Sequence, residues 1–164
     1  MIDQSTTATK QKVYHIDGMD DVVGEYETEE ELAVLDDFQA SRFLANYHEA
    51  LLSNDRAALD LMVADHTVYV AERFGKGEKQ SKADFLGTFG EKRVVKVNKH
   101  TAEGTTLRAY GGNMVLKVGI SNSDIVYKGL PSKGPRIFAI AYMKLDGRWQ
   151  CVVHTIMDFD GTYI

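Results

Sequence analysis

The chain has one cysteine among its 164 residues and one tryptophan. A single thiol, Cys151, excludes a disulfide within the chain and suits a reducing compartment. No stretch approaches the roughly 18 apolar residues of a membrane-spanning helix, and the opening MIDQSTTATK holds no apolar export segment. The expectation is a cytoplasmic protein with no membrane partner. Lysine and arginine do not cluster with aromatic residues and the net charge is −5, which excludes nucleic acid as a partner. No G-x-G-x-x-G stands at a strand–helix junction, GKG at 75–77 opens no helix, and no serine sits in a G-x-S-x-G elbow. Histidines and cysteine never fall at zinc-ligand spacing on one element, so neither a metal site nor a cofactor is expected.

What is present reads as one ordinary domain, 44% hydrophobic and 26% charged, long enough to bury a core without metal or disulfide. Residues 1–27 mix polar positions with short apolar pairs and acids, and are read as a flexible or docking arm. The domain proper is 28–164. Thr28 and Glu31 form a T-x-x-E capping box for a long helix to about Ser53, with Leu32, Leu35, Gln39, Phe43, Tyr47 and Leu51 as its stripe. Asn54 ends it, Asp55 caps a second helix (RAALDLMVA), HTVYVAE alternates as a strand, RFGKGEKQ is a loop, and Ser81 caps a third helix, KADFLGTF. Strands then follow one another to the end, with turns at 111–112, in LPSKGP and at Asp146-Gly147. Helices followed by a meander predict an α+β fold: a strongly curved antiparallel sheet wrapped round a long helix into a cone, with two shorter helices. The mouth of a cone is a natural pocket for an apolar small molecule.

The last strand, RWQCVVHTIMDF, places a histidine among apolar residues. Alternation puts Trp149, Cys151, Val153 and Thr155 on one face, and Gln150, Val152, His154, Ile156 and Asp158 on the other. If its face lines the cone, His154 is a candidate acid or base near neutral pH. Cys151, beside Trp149, is read as a packed thiol. His48, His66 and His100 are read as structural or exposed.

In order and spacing, Tyr47-x7-Asp55, Ala64-Asp65, V-Y-V at 68–70, G-x-x-x-x-S-K-A-D-F-L and the terminal DGRWQCVVH resemble the nuclear transport factor 2-like superfamily over about residues 32–159. That superfamily includes ketosteroid isomerase, SnoaL-like polyketide cyclases and the association domain of calmodulin-dependent protein kinase II. Ketosteroid isomerase uses a helix-borne Tyr and a protonated Asp as oxyanion donors beside a carboxylate base. By resemblance Tyr47 takes the tyrosine's place, Ala71 or Glu72 the base's, and Ala141 the second donor's, a role alanine cannot fill. The cyclases carry a terminal H-x-D. Here the nearest carboxylate after His154 is Asp158, about 13 Å along the same face of a regular strand.

The function expected is therefore cofactor-free acid/base catalysis, of isomerase, dehydratase or cyclase type, on a polyketide-, terpene- or steroid-like substrate. His154 and Glu72 are the proton-transfer candidates and Tyr47 the polarising group, with Tyr69, Phe89, Phe138 and Asp158 contacting substrate. The alternative is a non-catalytic ligand-binding or assembly domain. Both faces of RIFAIAYMKL are apolar (Ile137, Ala139, Ala141 against Phe138, Ile140, Tyr142), which predicts a homodimer.

Overall fold

The computed structural model describes residues 8–73, 76–91 and 95–158, with some strand side chains, those of Glu72 and Asp158 among them, outside that description. Five of its elements precede the first long strand. Strands β1 (Lys10–Tyr14) and β2 (Val22–Tyr26) come first, then helices α1 (Glu29–Ala40), α2 (Phe43–Ser53) and α3 (Arg56–Met62). Strands β3 (Val63–Arg73) and β4 (Lys76–Gln80), helix α4 (Lys82–Leu86), and strands β5 (Val95–Tyr110), β6 (Met114–Tyr127), β7 (Leu130–Leu145) and β8 (Arg148–Asp158) complete the chain. All eight strands form one sheet in the order β1-β2-β5-β6-β7-β8-β3-β4. Most pairings are antiparallel, but β2–β5 and β3–β8 run parallel, so the sheet is mixed where a purely antiparallel one was expected.

Helix starts follow the local signals. The Thr28, Asp55 and Ser81 side chains accept from the Glu31, Ala58 and Asp84 amides, each satisfying a donor that the first turn leaves open. The expected long helix is broken at Ser41-Arg42. Arg42 takes a left-handed conformation (φ 59°), the Ser41 hydroxyl accepts from the Phe43 amide, and α2 starts in a new direction. Residues 10–26, read as part of an arm, form a hairpin on the sheet. Tyr14 and Lys12 tie it to α1 through Asp36, each at 2.7 Å.

Two expected loops are strand. Lys76–Gln80 pairs with β3, and LPSKGP continues β7 along β6. Among the described residues β7 pairs with β8 from Arg136 onward, so Pro131 and Pro135 take no part in a described β7–β8 pairing. The turn lies instead at Lys128-Gly129, both with positive φ, as at Asp146-Gly147.

A bulge decides where the last strand points. Tyr142 pairs with Cys151 but Ala141 pairs with Val153, so Val152 is an extra residue in β8. The alternation flips there. Trp149 and Cys151 are buried on one side of the bulge and His154 on the other, while Val153 between them is exposed. Trp149 and His154 were expected on opposite faces; the bulge puts both inside. Further register shifts in β3 and β5 add to the curl of the sheet.

The closed end of the cone is dry. Phe38 lies 5.0 Å from both Tyr142 and Trp149 and 5.8 Å from Phe43, with Leu35, Leu107 and Val115 fully buried nearby in the same core. Trp149 donates its indole N–H to Asp37 (3.0 Å), which also pairs with Lys144 and so pins α1 to the β7–β8 hairpin. No helix among the described residues is long and apolar enough to cross a membrane.

Candidate functional site

The open end encloses a cavity of about 110 Å³ between α2, α4 and the inner faces of β3, β6, β7 and β8. Helix α2 contributes Leu44, Tyr47, His48 and Leu51, spaced so that neighbouring turns stack toward the sheet. Met19, Leu52 and Gln80 also line it, and Leu52 is exposed, which marks the mouth.

One wall is a row of rings. His154 lies 4.5 Å from Tyr69, Tyr69 stacks on Phe85 at 4.9 Å, and Phe85 meets Phe89 edge-on at 5.2 Å. Tyr47, from α2, stacks on Phe43 at 5.8 Å. Burial pushes the Tyr47 phenol well above its ordinary pKa, with Cys151, Tyr69 and Tyr142 adding smaller effects, so it stays a hydrogen-bond donor across the physiological range.

The other wall carries charge. Lys117 on β6 is 8% exposed and Arg136 on β7 only 3%. Arg136 donates to the Ser123 carbonyl (3.3 Å) and to the Ser123 hydroxyl, which fixes its guanidinium across the β6–β7 ladder. The Lys117 ammonium lies over the Phe138 ring (5.1 Å) and near that of Tyr142 (5.9 Å), and among the described residues no carboxylate is within ion-pair reach of it. Desolvation lowers its pKa to about 8. Burial, and secondly the Lys117 charge, lower the pKa of His48 and favour its neutral form. The Ser121 hydroxyl is fully buried against this wall, and among the described residues nothing hydrogen-bonds to it. Such a cavity accepts an apolar body with an electron-rich end directed at β6 and β7. Among the described residues no group of three or more His, Cys, Asp or Glu could hold a metal ion.

No protein-family model matches the sequence, and no curated protein does. Solved structures match over most of their length. A candidate Ca/calmodulin-dependent kinase II association domain from Exiguobacterium sibiricum aligns at a TM-score of 0.66 and 14% identity, covering 77% of this chain and 95% of that one. An NTF2-like protein from Cytophaga hutchinsonii gives 0.66 and 12%, with 77% and 96% covered. A candidate ketosteroid isomerase from Shewanella frigidimarina gives 0.50 and 18%, with 70% and 90% covered.

This chain has the nuclear transport factor 2-like fold.

At these identities the likeness establishes the fold alone, and proteins sharing it here include association domains and proteins of unknown function. Within the nuclear transport factor 2-like cone, Tyr47, Tyr69, Phe89, Phe138 and His154 line the same cavity. Glu72 sits on β3 opposite Gly77 and Asp158 at the end of β8 opposite Arg136, but the side chains of both lie outside the described residues. Cys151 is buried beside Trp149's end of the strand, with its thiol pushed up to about 12 by desolvation, as befits packing rather than nucleophilic chemistry. His48, expected to be structural or exposed, is buried and lines the cavity, because the curved sheet covers more than one face of α2. Lys117, Ser121, Ser123 and Arg136 escaped sequence reasoning. For the three on β6 the signal was the alternation Val115, Lys117, Ser121, Ser123, Ile125, in phase with two residues that are plainly core.

Proposed function

We propose that the chain is a small-molecule enzyme of cofactor-free acid/base type, performing isomerisation, dehydration or cyclisation on an apolar polyketide-, terpene- or steroid-like substrate. His154 and Glu72 are the proton-transfer groups, and Tyr47 polarises the substrate carbonyl or hydroxyl. The observation that carries this reading is the shared cavity: an imidazole at 4.5 Å from Tyr69 and a buried phenol on α2 face one apolar space. Its volume suits one ring of such a substrate, the remainder extending past Met19 and Leu52.

Deuterium exchange next to the carbonyl of cyclohexanone, a ring-sized probe, tests the reading in heavy water. The native chain is expected to accelerate exchange, and His154→Ala and Glu72→Gln to lower it by roughly 10²-fold or more while melting normally. Full exchange in both variants overturns the assignment.

A second reading, an assembly or ligand-binding module, draws on the outer face of the sheet. Ile120, Ile137 and Met157 are register neighbours across β6, β7 and β8, and with Val118 and Val153 they are 39–41% exposed. An apolar row of this kind is suited to covering by a second copy, so the chain is proposed to be a homodimer in either reading. A monomeric mass at micromolar concentration removes the dimer.

A further inference from the structure

We propose that Lys117 is an amine nucleophile that captures the carbonyl of a small apolar ketone or aldehyde in the cone cavity as an imine. The inference rests on the cavity being a ligand site, as proposed above, and adds a covalent step to it.

Four observations place a reactive amine here. Lys117 is buried in the middle of β6 and lines the cavity, so its amine faces the ligand space. Its Nζ stands over the rings of Phe138 and Tyr142 with no carboxylate among the described residues to hold it as an ammonium ion. Arg136 lines the same cavity, so a ligand there meets a second buried cation. The Ser121 hydroxyl is buried in the cavity lining without a hydrogen-bond partner among the described residues and offers a polar group to a bound ligand. The lowered pKa of about 8 agrees: about one amine in ten is neutral at pH 7, against about one in 3,000 for a solvated lysine.

In the step itself the Nζ lone pair forms the C–N bond as the carbonyl π-bond breaks, and one proton passes from nitrogen to oxygen to give a carbinolamine. The C–O bond of the carbinolamine then breaks as the nitrogen lone pair forms the C=N bond, and the remaining N–H proton passes to the departing oxygen, which leaves as water. One amine and one carbonyl yield one imine and one water, with no change in oxidation state. His48, buried on α2 and electrostatically coupled to Lys117, is placed to relay these protons as a neutral imidazole.

Cyclohexanone with sodium cyanoborohydride at pH 7 tests this on the full chain, since hydride converts an imine to a stable cyclohexylamine that peptide mass mapping can locate. Lys117 is expected to be labelled roughly tenfold or more faster than the exposed Lys10 and Lys133. Imine formation also exchanges the carbonyl oxygen with water, so the native chain should speed entry of ¹⁸O from labelled water into the ketone, and Lys117→Arg and Lys117→Met should return it to the rate in buffer alone. Labelling of Lys117 no faster than Lys133, or ¹⁸O exchange undiminished in both variants, overturns the inference. The labelling arm uses the native chain and so does not depend on either variant folding. Deuterium exchange that needs His154 without any Lys117 labelling would leave the acid/base reading standing and remove only the imine. Absence of both would remove both.

Discussion

On β6, Val115 lies opposite Tyr142 in the ladder and belongs to a core that holds Phe38 and Trp149, while Lys117, Ser121 and Ser123 further along face a cavity. The same inner surface of one sheet is thus dry at its closed end and polar at its open end. The outer surface shows the reverse trend, with Val118, Ile120 and Ile137 exposed where the inner positions are charged. Burial by itself therefore does not explain which residues sit inside. A buried ammonium or guanidinium costs free energy that apolar residues of similar size would not, and a fold retains it where the site has something to bind or do. The closed end supplies the stability that the open end gives up.

Removing packing at the closed end is expected to have the largest effect. Phe38 touches three aromatic neighbours and is almost fully enclosed, so Phe38→Ala should destabilise by about 4 kcal/mol. Chemical denaturation measures it. By contrast, Lys117→Met exchanges a buried charge for an apolar side chain of similar length and should leave stability unchanged or raise it. If Lys117→Met were as damaging as Phe38→Ala, the open end would be ordinary core and the comparison would fail.

A smaller effect probes the boundary between the two ends. Gly119 lies between Lys117 and Ser121 on the inner face, where an added Cβ would stand 2.9 Å from Phe138 Cζ and 3.1 Å from Thr105 Cα. The backbone of Thr105 cannot move aside without disturbing β5, so the Phe138 ring must shift toward the cavity. Gly119→Ala should cost about 2 kcal/mol through overpacking. It should also weaken cyclohexanone binding, read as a smaller thermal shift than in the native chain. Unchanged binding would mean that Phe138 does not shape the ligand space.

The parts of this molecule that were legible in the sequence are the ones determined locally. Thr28, Asp55 and Ser81 satisfy amides three residues away, and Asp146-Gly147 closes its hairpin with both residues at positive φ. Tyr47 and His154 were readable as cavity residues because an apolar stripe and an imidazole stand out in any sequence. The polar wall was not, because Leu116, Val118 and Ile120 make the outward face of β6 look like the core. The bulge at Val152 was equally hidden: it is a mismatch between two strands, and Val152 by itself looks like any other strand residue. Nor did Lys76–Gln80 or LPSKGP announce strands, since their glycines, lysines and prolines read as loop until the pairing with β3 and β6 is in place.

The smallest expected effect is a pH dependence that belongs to the open end. The folded Lys117 has a pKa near 8 and the unfolded lysine 10.5, so between these values the unfolded chain binds more protons. Stability must then increase as pH rises through 8, because the folded state sheds a buried charge that the unfolded state keeps. Cys151 opposes this from pH 9, its ordinary value, since the thiol held at about 12 in the fold ionises only when unfolded. Between pH 8 and 9 the lysine should contribute about 1 kcal/mol and the thiol remove about a third of that; above pH 9 the two nearly cancel. Replacing Cys151 with Ala removes the opposing ionisation, so the rise should continue toward pH 10, where the raised phenols of Tyr47 and Tyr142 begin to reverse it. Adding Lys117→Met to that variant should flatten the curve between pH 8 and 9. Urea midpoints at half-unit pH steps are sensitive enough to see this. A flat profile in the Cys151→Ala chain would mean that the ammonium is compensated within the fold, and the contrast between the two ends would lose its electrostatic basis.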